Sequence, residues 1–302
     1  MSLPRPADRP LAAISFMCIA VLLFAVMDAL VKHAAARYGV VQIVFFRSAF
    51  AFLPVAAYLA RTGGFAQLKT HRFGGHALRA GIGLSAMFCF FYAFGVLPLA
   101  DVVSIGFAAP ILLTALAGPL LGERVGWRRW SAVIAGFLGV LIMLRPTGEI
   151  AFGSLIALAG TFGYTLTIVA IRQLSRTESA GTIVFYFSAL STLGAGLLLP
   201  FDWRTPDAAG WGVLVAIGLL GGFAQIFMTR AFALGPASVV APFDYVAILW
   251  ATLLGWSFWG EVPDEATAAG AAVVVASGLY ILRREAIRAA QAARTPEMNV
   301  ST

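Results

Sequence analysis

The feature that most restricts this chain is the spacing of its polar residues. Stretches of mostly apolar residues follow one another from residue 11 to residue 283, separated by short polar or Gly/Pro-containing segments. They run to about 20 residues each, the length an α-helix needs to cross a hydrocarbon core of roughly 30 Å. Spans are expected at 11–31, 40–60, 77–97, 100–121, 130–145, 152–171, 181–200, 211–233, 238–259 and 266–283. The runs are continuous and do not alternate, which argues against a closed barrel. Composition agrees, with 60% hydrophobic and 12% charged residues, where soluble domains carry about 25% charged residues. The fold class is therefore an all-α polytopic membrane protein of ten transmembrane helices. The first stretch is too long for a secretory h-region and is expected to be retained as a span.

Positive charges near spans are kept on the cytoplasmic side. Placing both termini in the cytoplasm puts 16 Lys and Arg residues there, Arg79 among them, against 4 on the opposite side, and leaves Arg47 within a span. The net charge of +7 then reads as topology and attraction to an anionic leaflet, and a nucleic-acid partner is not expected. Cys18 and Cys89 fall inside spans as small packing residues. His33, His71 and His76 lack metal-ligand spacing, and neither H-E-x-x-H nor G-x-S-x-G occurs, so no metal, cofactor or catalytic residue is assigned and an enzyme is not expected.

The chain repeats itself. "IVFFRSA" at 43–49 returns as "IVFYFSA" at 183–189, matching at five of seven positions with an offset of 140. "AFGVLPLADVV" and "AFALGPASVV" align with an offset of 138, as do Gly122-Glu123 and Gly260-Glu261. The chain divides into a first five-helix repeat (1–147), a second (148–284) and a basic cytoplasmic tail (285–302). A five-span unit is odd, so its second copy enters the membrane from the opposite side. Inverted halves with a solute site between them at the midplane are a recurring plan of secondary transporters.

Ten spans in two repeats, an arginine in the second span, and Gly-Glu closing the fourth and ninth ("LLGERV", "FWGEVP") resemble the EamA-type drug/metabolite transporters over essentially the whole chain. Within that superfamily the chain looks most like YddG-type aromatic amino-acid exporters of bacterial inner membranes. The resemblance implies gradient-driven export without ATP hydrolysis, and no G-x-x-x-x-G-K-[ST] occurs.

An ionised group in hydrocarbon normally faces a cavity or a partner. Three stand out within the expected spans: Asp28, Arg47 and Asp244. Asp28 and Arg47 lie at similar depth, so they either form a buried pair that fixes the first two helices or offer a guanidinium and a carboxylate to a solute. The aligned residue in the second half is Phe187, which makes that position asymmetric. Thr161, Tyr164 and Thr165, then Ser85, Cys89 and Tyr92, then Gln225 and Thr229 form polar stripes that either bond neighbouring helices or line a cavity. Pro242 shares its span with Asp244, Tyr245 and Trp250, and Pro110 makes the equivalent helix break in the fourth span. Trp250 faces either lipid or the site, and the Gly-Glu pairs either cap helices or make gating contacts.

One arginine is too few for a phosphorylated solute, and Asp244 without a second acid is weak support for a lipophilic-cation exporter. One arginine, one or two carboxylates, hydroxyls and aromatic walls suit a zwitterion. The function expected is export of amino acids, aromatic or large neutral, across the bacterial inner membrane by alternating access. Export of lipophilic cations or of another small metabolite is the alternative, and a receptor or enzyme a remote one. The expected partners are the zwitterionic solute and the lipid bilayer, with a monomer as the working unit. Arg47→Gln should reduce flux into liposomes much more than Asp28→Asn; recovery in the double variant would mark Arg47 as a packing partner only.

Overall fold

The computed structural model describes residues 10–62, 64–121, 127–144, 152–174, 177–234 and 241–294. Gly122-Glu123, one of the two Gly-Glu pairs, lies outside the described residues. The first half contains α1 (Pro10–Ala35), α2 (Val40–Phe50), α3 (Phe52–Thr62), α4 (Phe73–Val96), α5 (Leu99–Gly106), α6 (Ala109–Leu121) and α7 (Trp127–Leu144). The second contains α8 (Phe152–Leu174), α9 (Ala180–Leu198), α10 (Ala208–Leu234), a 3-10 turn over Ala241–Val246, α11 (Ala247–Trp259) and α12 (Glu265–Arg294). Among the described residues there is no strand.

Seven stretches among the described residues are long and apolar enough to cross a membrane: Leu11–Ala35, Val40–Thr62, Phe73–Val96, Leu99–Leu116, Phe152–Ile171, Gly181–Phe201 and Ala208–Ala231. Trp130–Met143 and Glu265–Ile281 are shorter apolar helices, and 241–259 joins a 3-10 turn to an α-helix. The second span is continuous through a single turn residue, Ala51, so α2 and α3 form one rod. The fourth is interrupted at Phe107 and Ala108, just ahead of Pro110, which has no N–H to continue the ladder. The 3-10 turn that holds Pro242 ends at Val246, and the two irregularities fall at matching places in the repeats.

The halves are interleaved. α1 packs along α10, α4 along α8 and α7 along α12, while α2 crosses α9 and α5 lies against α11. In each pair one helix comes from each half, and exchanging the halves returns the first four pairs. The segments that begin at α2 and α9 run antiparallel, because each is held at its start by the loop that follows the other. The Asp202 carboxylate accepts from Val41 N–H at 3.0 Å, and the Gln42 side-chain amide exchanges two bonds with the Arg204 backbone at 2.8 and 2.9 Å. At the opposite end Thr182 Oγ1 donates to the Gln67 carbonyl at 2.8 Å and Tyr186 Oη donates to the Leu68 carbonyl at 2.9 Å. Gln42 and Thr182 are repeat mates at offset 140, both fully buried, and each satisfies backbone groups of the connection that follows the other span.

Gly260 ends α11 in the left-handed conformation, φ 67°, which a glycine adopts without strain. The reversal brings Glu261 back to the ends of two other helices. Its carboxylate meets Lys32 Nζ of α1 at 2.7 Å and accepts from Leu99 N–H at the start of α5 at 3.1 Å. Lys32 also donates to the Leu97 carbonyl and lies 5.6 Å from the centre of the Trp259 ring. The second Gly-Glu pair thus both caps a helix and ties the halves together. Removing the acid leaves a largely buried ammonium without its counter-charge. Glu261→Ala should therefore lower stability by about 2–3 kcal/mol, below the 3–5 typical of fully buried pairs because the carboxylate still touches solvent. Thermal melting in detergent should show Lys32→Ala and Glu261→Ala to be less than additive.

Candidate functional site

Two carboxylates share one cavity. A space of about 40 Å³ opens between α1, α5, the 3-10 turn and α11, lined by Val21, Phe24, Asp28, Val103, Asp244 and Ala247 among others. Its volume suits one water or one ammonium group. Asp28 comes from the last third of α1, and Asp244 is delivered by the 3-10 turn. Asp244 therefore shares its cavity with a second acid, which its place in the sequence does not reveal, and the reason is the interleaving of α1 with the second half.

Asp28 and Arg47 are within electrostatic reach of each other, but among the described residues no ion pair or hydrogen bond joins them. The buried pair that the sequence allowed is not formed. Arg47 is 7% exposed and its Nε has no hydrogen-bond partner. Its guanidinium carbon lies 5.7 Å from the centre of the Phe187 ring, so it packs against its own repeat mate where α2 crosses α9.

A second arginine occupies the same ring. Arg79 is 3% exposed, its guanidinium carbon is 3.7 Å from the Phe187 centre, and its Nε and Nη1 have no partner. The sequence reading placed Arg79 with the cytoplasmic charges. Instead α4 begins at Phe73, so Arg79 sits nearly two turns inside the helix and faces α9. The signal that would have found it is the repeat: at offset 138 its mate is Ile217, a fully buried residue of α10. His76 is buried one turn earlier, with its ring 4.6 Å from that of Tyr186 and Nε2 3.7 Å from Glu178.

Glycines make the two arginines possible. A Cβ at Gly83 of α4 would come within 3.0 Å of the Phe187 ring, and one at Gly221 of α10 within 3.2 Å of Arg47 Nε. These glycines are themselves repeat mates at offset 138. Buried guanidiniums without counter-charges cost several kcal/mol each, and a ring face returns only about 2 kcal/mol. The arrangement is charged and incomplete: acids on the cavity, cations around Phe187, and Tyr164 within electrostatic reach of both Arg79 and Asp244.

The other residues singled out from sequence divide. Gln225 lies one turn along α10 from Gly221, on the Arg47 side. Thr161 serves packing: it donates to the Ala157 carbonyl at 2.9 Å and reaches the Ile105 carbonyl at the end of α5 at 3.4 Å. Ser85 donates to Gly81 O at 2.9 Å, and with Tyr92 it shares the exposed stripe of α4 that carries Leu78 and Val96. That stripe faces away from Phe187. Tyr245 has its ring 4.9 Å from that of its repeat mate Phe107 and its hydroxyl against Gly278, within electrostatic reach of Asp244. Trp250 is half-buried against α1 in a cluster with Met17 and Val21. Pro110 and Pro242 act through the backbone, at the breaks described above. Among the described residues no cluster of His, Cys, Asp and Glu is arranged to hold a metal.

A helical bundle with interleaved halves, and buried charges between them, is the architecture of a secondary transporter. The model of the EamA-like transporter family matches residues 11–145 and again 151–283. The chain belongs to that family: it is a multi-pass membrane transporter built from two repeats. It is 34% identical over 264 residues to the pseudopaline exporter CntI of Pseudomonas aeruginosa, covering 86% of this chain and 92% of that one. It is 29% identical over 282 residues to a riboflavin transporter of Vibrio cholerae (92% and 95% covered). It is 25% identical over 280 residues to an S-adenosylmethionine uptake transporter of Rickettsia prowazekii (91% and 94% covered). A crystal structure of a protein 22% identical in sequence aligns with a TM-score of 0.63 over 90% of this chain and 98% of that one, a likeness of fold. These relatives are named for different solutes and different directions, so the solute has to be argued from the site.

Because Asp28 and Asp244 share one cavity, their contributions to transport should overlap. Asp28→Asn and Asp244→Asn should each slow flux, and the double variant should lose less than the two losses combined, with a coupling of about 0.5–3 kcal/mol. Initial rates in liposomes measure it, and strict additivity would mean that the two acids work apart.

Proposed function

We propose that this protein exports an amino-acid-type zwitterion across the bacterial inner membrane by alternating access. The proposal includes ten spans in two inverted repeats, 1–147 and 148–284, both termini in the cytoplasm and residues 285–302 as a basic tail. The observation that carries the reading is the separation of charge where the halves meet: Asp28 and Asp244 on one cavity, and Arg47 and Arg79 at Phe187. A solute ammonium is matched by the acids and a solute carboxylate by the guanidiniums, whose planar fork pairs with a carboxylate through two parallel bonds. Tyr164 and Gln225 complete the polar wall. Export is favoured over uptake by the 34% identity to the pseudopaline exporter over most of both chains.

Alternating access assigns a role to the tie between Lys32 and Glu261. It closes one end of the bundle, and that end opens when the bond breaks. The two acids on an apolar cavity also favour a second reading, export of a lipophilic cation. Flux separates the two. Purified protein in liposomes should equilibrate labelled amino acids without added nucleotide, and quaternary ammonium ions should compete weakly. Transport of quaternary ammonium ions alone, with no amino acid moved, would establish the cation reading instead.

A further inference from the structure

Two buried arginines at one aromatic ring ask for more negative charge than a simple amino acid offers. Arg47 and Arg79 are each more than nine-tenths buried, and each keeps N–H groups without an acceptor. Among the described residues no carboxylate lies within 4.0 Å of either. Asp28 reaches Arg47 only through space and faces the cavity with Asp244. The two guanidiniums also repel each other, since both lie at Phe187. One carboxylate would answer one fork and leave the other unpaired.

The second half shows what the same positions look like without a charge to bind. At the mate of Arg47 stands Phe187, and at the mate of Arg79 stands Ile217. Packing at these helix crossings is therefore met by apolar side chains in one copy of the fold. In the other copy both positions carry a guanidinium, and they converge on the same ring.

We propose that the transported solute is an amino-acid derivative with at least two carboxylates, one taken by Arg47 and one by Arg79 on either side of contact with Phe187, with its ammonium directed to Asp28 and Asp244. This rests on the zwitterion reading above and narrows its solute class. A neutral aromatic amino acid, the expectation drawn from a single arginine, leaves Arg79 unanswered.

The test uses the purified full-length chain and matched probes: glutamate against glutamine, and 2-aminoadipate against norleucine. Each pair is similar in length and differs by one carboxylate. Binding is read from ligand-induced shifts in melting temperature in detergent, and transport from counterflow in liposomes. The diacid should bind about tenfold more tightly than its partner. Arg79→Gln should bring that ratio near one, and Arg79→Lys should restore part of the preference. Equal binding of both members to the unaltered protein overturns the two-carboxylate assignment and leaves the zwitterion reading standing. Loss of both members alike in an Arg79→Gln variant that melts like the parent also overturns it. If that variant does not fold, the ratio in the unaltered protein decides alone. Binding of a quaternary ammonium ion with none of the four acids bound, or of no probe at all, overturns the zwitterion reading itself.

Discussion

Close backbone approach between the two halves is the constraint from which the rest of the structure follows. Lipid tails are as apolar as leucine, so helices in a bilayer are held by packing and by bonds between them, with little hydrophobic drive to associate. Small residues at the crossings let the helices come close. A Cβ on Gly218 or Gly222 of α10 would lie 2.3 Å from Phe50 or Pro54 of the second span, and one on Gly270 of α12 would lie 2.6 Å from the Gly139 carbonyl of α7. The most extensive pairings join one half to the other. The site inherits this: its cations come from the first half, the ring between them from the second, and its two acids one from each.

The pseudo-twofold relation organises the contacts and is broken where charge is needed. Phe107 and Tyr245 are repeat mates and touch each other at the two helix breaks; Arg47 and Phe187 are repeat mates and touch where α2 crosses α9. The first pair is aromatic on both sides and serves packing. The second is a cation on a ring, and Arg79 adds another cation where the symmetric position is Ile217. Duplicated architecture supplies two arrangements of similar energy for alternating access. The asymmetric residues give the solute one preferred way to lie.

Much of this was legible in the linear order of residues, because a bilayer makes span length and apolar run nearly the same quantity. The helices α1, α4, α8 and α10 begin and end close to the apolar boundaries. Both breaks fall at the prolines, since a missing N–H interrupts a helix wherever it is buried. Helical spacing leaves the role of each polar stripe open. Thr161 and Ser85 bond backbone carbonyls on their own helices, and Tyr245 turns toward Gly278, because helical periodicity gives a face without saying which neighbour it meets. Arg79 was misplaced for a related reason: its distance from the helix start cannot be read from charge bias when the preceding segment is itself polar.

Sequence alone determined that this chain spans a membrane repeatedly, that it is a duplication, and that Arg47 has no charged counterpart in the second copy, since these depend on composition and order along the chain. Tertiary structure alone decided that Arg79 joins Arg47 at Phe187, that Asp28 and Asp244 line one cavity, and that Glu261 reaches back to Lys32. Those contacts span 108 to 229 residues of sequence. They exist only because α1, α2 and α4 are closed against helices of the other half at glycines small enough to admit them.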